Sequence, residues 1–193
     1  MLFESKIKEI EEALSFNKTF KAPDENDKAL REEEALNEFL NSLKKSKLPD
    51  GTWHVHANVY TSFLESPLKS LKQLNISKVD GDFNCESKNL KSLEGCPTVV
   101  KGWFDCSFNK LTTLEGCPTV LGGSLICVGC GLKSLKGCPS KINGNMSCYA
   151  NKLSSLEGLP KEIKSYLSIE DNDKKFTVKQ IRAVCKVGEE IFV

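Results

Sequence analysis

The stretch Gly102-Trp103-Phe104-Asp105-Cys106-Ser107-Phe108-Asn109-Lys110-Leu111-Thr112-Thr113-Leu114-Glu115-Gly116-Cys117-Pro118 decides the fold. Its first six residues alternate in polarity, which suits a short strand with Phe104 and Cys106 turned inward. Pro118, two places past Gly116, cannot continue a helix and carries no backbone donor, so the return path reads as extended or turn-like. Gly102, like Gly123 and Gly144 further on, marks the bend into a strand, where freedom to take a positive φ is useful.

The same unit recurs in both directions. Leu90, Leu111, Leu132 and Leu153 are evenly spaced, and Leu93, Leu114, Leu135 and Leu156 keep the same step. So do Gly95, Gly116, Gly137 and Gly158, followed by Pro97, Pro118, Pro139 and Pro160. Cys85, Cys106, Cys127 and Cys148 form a further column that Ile169 continues, beside Phe83, Phe104, Leu125, Met146 and Leu167. Columns kept in phase over this distance mark stacked structural repeats. Leu68 and Leu71 belong to an earlier coil displaced by one place, and Trp53, Val55, Val59 and Thr61 supply its strands.

The pattern Phe104-x-Cys106-x-x-Asn109-x-Leu111-x-x-Leu114 resembles the leucine-rich-repeat consensus. The units Leu90-Lys91-Ser92-Leu93-Glu94-Gly95-Cys96-Pro97 and Leu111-Thr112-Thr113-Leu114-Glu115-Gly116-Cys117-Pro118 resemble those of small leucine-rich-repeat proteins encoded by bacteriophages and some bacteria. The tail Phe176-Thr177-Val178-Lys179-Gln180-Ile181-Arg182-Ala183-Val184-Cys185 is similar to the terminal segment of that family. The resemblance covers about residues 50–193 and implies the fold and a phage or bacterial cytosolic setting; it implies no activity, because such scaffolds bind many partners. Two positions depart from it. Cys130 stands where Asn109, Asn151 and Asn172 stand, which interrupts the expected asparagine ladder, and Ile169 replaces the strand cysteine of the last coil.

The ends follow other rules. Phe3, Ile7, Ile10 and Leu14 share one helical face, and Ala29, Leu36, Leu40 and Leu43, with Phe39 alongside, share another, separated by a break at Ala22-Pro23-Asp24. This hairpin either covers the open end of the stack or forms a separate arm that binds or dimerises. Lys47 to Gly51, with Pro49, marks a boundary. Thr177 with Gln180 makes a capping-box pattern for a short helix that turns Val178, Ile181, Val184 and Cys185 to the last coil, and Glu190 to Val193 read as a terminal strand. The expected fold is therefore an α+β solenoid. A leucine-rich-repeat stack of short parallel strands spans 50–172, an N-terminal helical hairpin spans 1–46, and a C-terminal helix–strand cap spans 173–193.

Composition narrows the function. The formal net charge is +1, which argues against a nucleic-acid partner held by long-range attraction. No apolar run is long enough to span a bilayer, and the start carries no signal-like segment, so the expected location is a cytoplasm in which the nine cysteines stay reduced. Cys127-Val128-Gly129-Cys130 has the spacing of half a zinc site, but its thiols sit in packing columns. His54 and His56, two apart on a strand, project to one side with no third ligand evident. A catalytic thiol needs a base, and these are the only histidines. No catalytic residue, metal or cofactor is assigned, and the expectation is a non-enzymatic binding protein.

If Phe104 and Cys106 face inward, Trp103, Asp105 and Ser107 face outward. Ile126 and Val128, Tyr149, and Tyr166 follow in successive coils. On a leucine-rich-repeat stack this is the concave face, a platform roughly 20 Å wide. The candidate partner-binding residues are Trp103, Asp105, Ile126, Val128, Tyr149 and Tyr166, apolar groups bordered by Asp82, Glu86 and Glu170. The expected partner is a host protein that the chain sequesters or inhibits, with defence against phage as the setting the resemblance implies. The alternative is an assembly component that self-associates through its N-terminal helices.

Overall fold

The computed structural model describes residues 25–64 and 68–193. Within this range the chain winds as a solenoid whose coils feed parallel strands into sheets on two sides. The first side is one seven-stranded sheet of β3 (Val59–Tyr60), β5 (Phe83–Asn84), β7 (Phe104–Asp105), β9 (Leu125–Ile126), β11 (Met146–Ser147), β13 (Leu167–Ser168) and β15 (Ile191–Phe192). The second side begins as β1 (Lys45–Lys47), β2 (Trp53–Val55), β4 (Ile76–Val79), β6 (Val99–Val100) and β8 (Val120–Leu121). It resumes as a separate sheet of β10 (Lys141–Ile142), β12 (Glu162–Ile163) and β14 (Lys186–Val187). Every pairing is parallel except β1 with β2.

Such short strands are stable here because each is one rung of a continuous ladder. In the seven-stranded sheet, amides of an earlier coil donate to carbonyls of the next, as in Cys106 N to Ile126 O and Cys127 N to Ser147 O, both 2.9 Å. Across the second side the direction reverses, with Gly122 N donating to Val100 O at 2.9 Å. The back of each coil, expected to be extended or turn-like, is where β6, β8, β10 and β12 lie. Their inward residues Val100, Leu121, Ile142 and Ile163 meet Phe104, Leu125, Met146 and the leucine columns in a single core cluster. Full burial of each such side chain stabilises the fold by about 1.5–3 kcal/mol.

Two glycine columns serve different needs. Gly116 has φ +88°, and a Cβ there would lie 2.8 Å from the backbone of Leu93, so both the turn and the neighbouring coil exclude a side chain. The expected positive φ at Gly102, Gly123 and Gly144 is absent. Gly102 is required by close approach instead, since a Cβ would fall 2.0 Å from Asp82 Oδ1.

The asparagine ladder forms as expected around Asn109, Asn151 and Asn172. The buried Asn151 Oδ1 accepts from the amides of Cys130, Gly131 and Leu132, each at 3.0 Å, while Nδ2 donates to Cys127 O at 2.8 Å and Cys148 O at 3.0 Å. At the interruption, the Cys130 thiol donates to Cys106 O at 3.1 Å and so supplies the donor half of the missing carboxamide.

At the N-terminal end, helix α1 (Glu25–Ser42) buries Phe39 in the core cluster, and Leu36, Leu40 and Leu43 pack against it half-buried. The first helical stripe, Phe3 to Leu14, and the break at Ala22-Pro23-Asp24 lie outside the described residues. The boundary read at Lys47 to Gly51 is the turn between β1 and β2, closed by Leu48 N donating to Thr52 O at 2.8 Å. At the other end, α2 (Val178–Arg182) is opened by the expected capping box between Thr177 and Gln180. Ile181 and Cys185 are buried, whereas Val178 and Val184, also expected to face the last coil, are exposed. A helix this short has room for only one inward stripe. Among the described residues, no helix is long and apolar enough to cross a membrane.

Candidate functional site

The outer face of the seven-stranded sheet carries the residues that alternation pointed outward. Register places Asn84, Asp105, Ile126, Ser147 and Ser168 on successive rungs between Tyr60 and Phe192. Trp103, Asp105, Ile126 and Tyr166 are half-buried, and Tyr149 is 38% exposed. Val128 is a correction: it is only 5% exposed, although it lies outside the core cluster. Its amide is held by the buried Ser107 Oγ at 3.1 Å, and its rung lies between those of Ser107 and Tyr149, so coil stacking shelters an outward-pointing side chain.

Polar side chains on this face hold the backbone of their neighbours. Asp82 Oδ1 accepts from Trp103 N at 3.0 Å, Ser124 Oγ accepts from Asn145 N at 3.0 Å, and Asp105 Oδ1 accepts from Ser107 N at 2.8 Å. Asp105 therefore orients the turn after its strand with one carboxylate oxygen. Asp82, Glu86, Asp105 and Glu170 remain half-buried on the rungs around the apolar groups.

The aromatic groups collect at two ends rather than forming one wall. Trp103 packs on Tyr60, with ring centroids 6.0 Å apart, and Tyr60 packs edge-on against Phe63 at 6.2 Å. Tyr166 meets Phe192 edge-on at 5.8 Å. Phe63, 75% exposed, and Phe108, 56% exposed, lie at the margin where chain leaves the strands. Sequence reading missed Tyr60, Phe63, Phe108 and Phe192. Tyr60 was within reach, because it lies between Val59 and Thr61 in an alternating run, but its coil is longer than the later ones and falls out of the period.

Phe108 differs from its column as well. Five successive coils turn through the left-handed region at this place, with Ser87, Phe108, Gly129, Ala150 and Asp171 all at positive φ. Glycine or a small polar residue suits that conformation, whereas a bulky one is rare there. Phe108 holds it at φ +52°. Gly129, one coil later, has φ +61°, and a Cβ there would lie 2.9 Å from the Phe108 ring. The fold thus clears space for an exposed aromatic side chain on a strained residue.

All nine cysteines are free thiols, and eight are buried. Burial pushes the thiols of Cys85, Cys96, Cys117, Cys127 and Cys138 well above their ordinary range, so they are protonated and weak as nucleophiles or ligands. The Cys127–Cys130 pair is spent on the backbone, with each thiol donating to a carbonyl.

The histidines lie on the opposite side. His54 on β2, His56 just beyond it and Asp80 just past β4 converge so that their ligating atoms lie within 4.8 Å of one another. Lys101 Nζ is 2.7 Å from Asp80 Oδ1, His54 Nε2 is 3.0 Å from the same oxygen, and His56 Nδ1 is 2.9 Å from Oδ2. Lys101, with His56 and His54, holds the Asp80 carboxyl far below the usual carboxylate range, so it is ionised at any ordinary pH. Sequence reading lacked Asp80 because it belongs to the coil after His56 and stands outside the repeat columns.

No protein-family profile, curated protein or solved structure matches this chain.

Proposed function

We propose that the chain is a non-enzymatic recognition protein that engages another protein through the outer face of its seven-stranded sheet. The observation that carries this reading is Phe108, an exposed aromatic ring on a residue with φ +52°. The coil dictates the backbone conformation there, but a large apolar side chain adds strain and exposure that a glycine would avoid, and such strain clusters at binding positions. On the same side of the solenoid, the mutually packed rings of Tyr60, Phe63 and Trp103, and the exposed Tyr149, offer further anchor groups, with Asp82, Glu86 and Asp105 half-buried among them. Large aromatic anchors inside a polar rim are the composition of energetically important contact patches. The acidic border favours a partner with basic character, while exposed lysines such as Lys78, Lys101 and Lys141 crowd the opposite side.

The resemblance of the Leu-Glu-Gly-Cys-Pro units to phage and bacterial leucine-rich-repeat proteins extends the proposal to a setting. The partner is a bacterial host protein, and covering its surface blocks it; an antagonist of host defence is the form this takes. That extension rests on the resemblance alone. A photo-crosslinking amino acid placed at Phe108 or Tyr149, and as a control at Lys141, tests the binding face in a bacterial lysate. One basic partner captured from the first two positions and not from Lys141 is the expected result. Equal capture from both sides, or none from Phe108 and Tyr149, overturns the proposal.

A second reading has its own observation. Leu30 on α1 is exposed, as an apolar contact for a second copy would be. Sedimentation of the full chain against Leu30→Glu decides it: a concentration-dependent dimer lost in the variant supports self-association, and a monomer in both removes it.

A further inference from the structure

We propose that His54, His56 and Asp80 form a binding site for a borderline divalent metal ion of the zinc(II) type, with two nitrogen donors, one oxygen donor and an open position. The three residues lie on adjacent rungs of the second side. His54 and His56 share a face because they are two apart along β2 and its extension. The β2–β4 pairing sets Asp80 beside His56, fixed by Asp80 N donating to Val55 O at 2.9 Å. On the other flank His56 N donates to Lys44 O at 2.8 Å, beyond the end of β1. The donors are thus placed by two backbone ladders before any ion arrives.

The facing atoms of this cluster are matched to a bridging cation. His54 Nε2 and Asp80 Oδ1 are buried atoms that face each other at 3.0 Å, and among the described residues no well-directed hydrogen bond reaches either; the Lys101 ammonium, 2.7 Å from Oδ1, makes an ion pair. Buried polar atoms are normally bonded, and two left facing each other need an explanation. An ion bridging nitrogen and carboxylate supplies it. Ser46 Oγ lies 2.8 Å from His56 Nε2, which leaves Nδ1 as the nitrogen aimed at the carboxylate. An outer partner that selects the ligating nitrogen is a usual feature of histidine metal sites. Two imidazoles and a carboxylate suit zinc(II) and its borderline neighbours, and suit magnesium and calcium poorly.

Lys101 is the competitor. Its ammonium touches Asp80 Oδ1 at 2.7 Å, where it neutralises the carboxylate in the metal-free protein. The Lys101 side chain is 65% exposed, and an ion pair with so solvated a partner holds weakly. An incoming dication displaces it, and the lysine swings to solvent.

The chain has only two histidines, so imidazole resonances report on this site and no other. Zinc(II) is titrated into the untagged full chain in a non-chelating reductant, with the histidine ring nitrogens followed by NMR. One equivalent is expected to shift both imidazoles, with coordination signatures at His54 Nε2 and His56 Nδ1. Asp80→Asn should weaken the affinity at least about tenfold. Lys101→Met, which leaves every ligand in place, should tighten it about twofold to fivefold. Imidazoles unmoved at roughly a hundredfold excess of zinc would overturn the site, as would an affinity unchanged in both variants. If Asp80→Asn fails to fold, the wild-type imidazole shifts and Lys101→Met still decide the question.

Discussion

Replacing Asn151 with alanine removes the keystone of one rung of the asparagine ladder, and the structure sets the size of the effect. Its carboxamide accepts from three backbone amides and donates to the carbonyls of Cys127, Cys148 and Tyr149. Cys148 O retains a contact from Asn172 Nδ2 at 3.3 Å, and Tyr149 O retains one from Gly129 N at 3.3 Å. Gly131 is half-buried, so water reaches its amide. That leaves the amides of Cys130 and Leu132 and the carbonyl of Cys127 buried and bereft of the carboxamide. Each such group costs about 1–2 kcal/mol, so Asn151→Ala should destabilise the protein by about 3–6 kcal/mol. Urea unfolding under reducing conditions, followed by far-UV circular dichroism, measures it. Asn143→Ala is the control, because exposed Asn143 makes one bond, to Leu121 O at 3.0 Å, and should lose no more than about 1 kcal/mol. If the two variants fall within about 1 kcal/mol of each other, the ladder does not hold the coils together and the reasoning fails.

Cys130→Asn should complete the ladder by restoring an acceptor beside the donor that the thiol already supplies, raising the urea midpoint by about 1 kcal/mol of stability at unchanged slope. A lower midpoint would mean that the middle coil is shaped for the thiol. Ala150 has φ +53° and an exposed side chain, so Ala150→Gly should stabilise by about 0.5–1 kcal/mol in the same assay, and a loss would refute the strain at that column. Burial raises the folded-state pKa of the Cys185 thiol to about 11 from an ordinary value of 9.0, and that of Cys85, Cys96, Cys117, Cys127 and Cys138 in the same direction. The unfolded chain therefore loses its thiol protons first, and the stabilisation that is complete below pH 9.0 drains away as pH rises toward 11. A urea midpoint that stays flat across that window, followed in reductant, contradicts the burial of these thiols.

The strand side of every coil was legible in the sequence because one local rule repeats. Phe104 and Cys106 flank Asp105, Met146 and Cys148 flank Ser147, Leu125 and Cys127 hold the same places in the period, and all face inward. The second side was not legible. Val99-Val100, Val120-Leu121 and Lys141-Ile142 are strands too short to display an alternation, and they exist only because a neighbouring coil offers hydrogen bonds. The candidate binding face divides the same way. Alternation pointed Trp103, Ile126, Tyr149 and Tyr166 outward, yet it carried no information on Val128, sheltered by its rung neighbours, or on Phe108, which lies past the strand end.

What the sequence alone determined is the one-dimensional part of this protein: a constant period, its inward columns, and the glycine–proline turns that let each coil close. Those properties depend on residues close together in the chain, so their spacing records them. Only the tertiary structure decided which coils place side chains against one another: Tyr60 on Trp103, Asn151 on the amide of Cys130, and Asp80 between the two histidines. These contacts depend on the register between coils, which no local pattern states. It breaks from the period at the first coil, where Val59 pairs with Phe83 across a longer path than the one that joins Phe83 to Phe104.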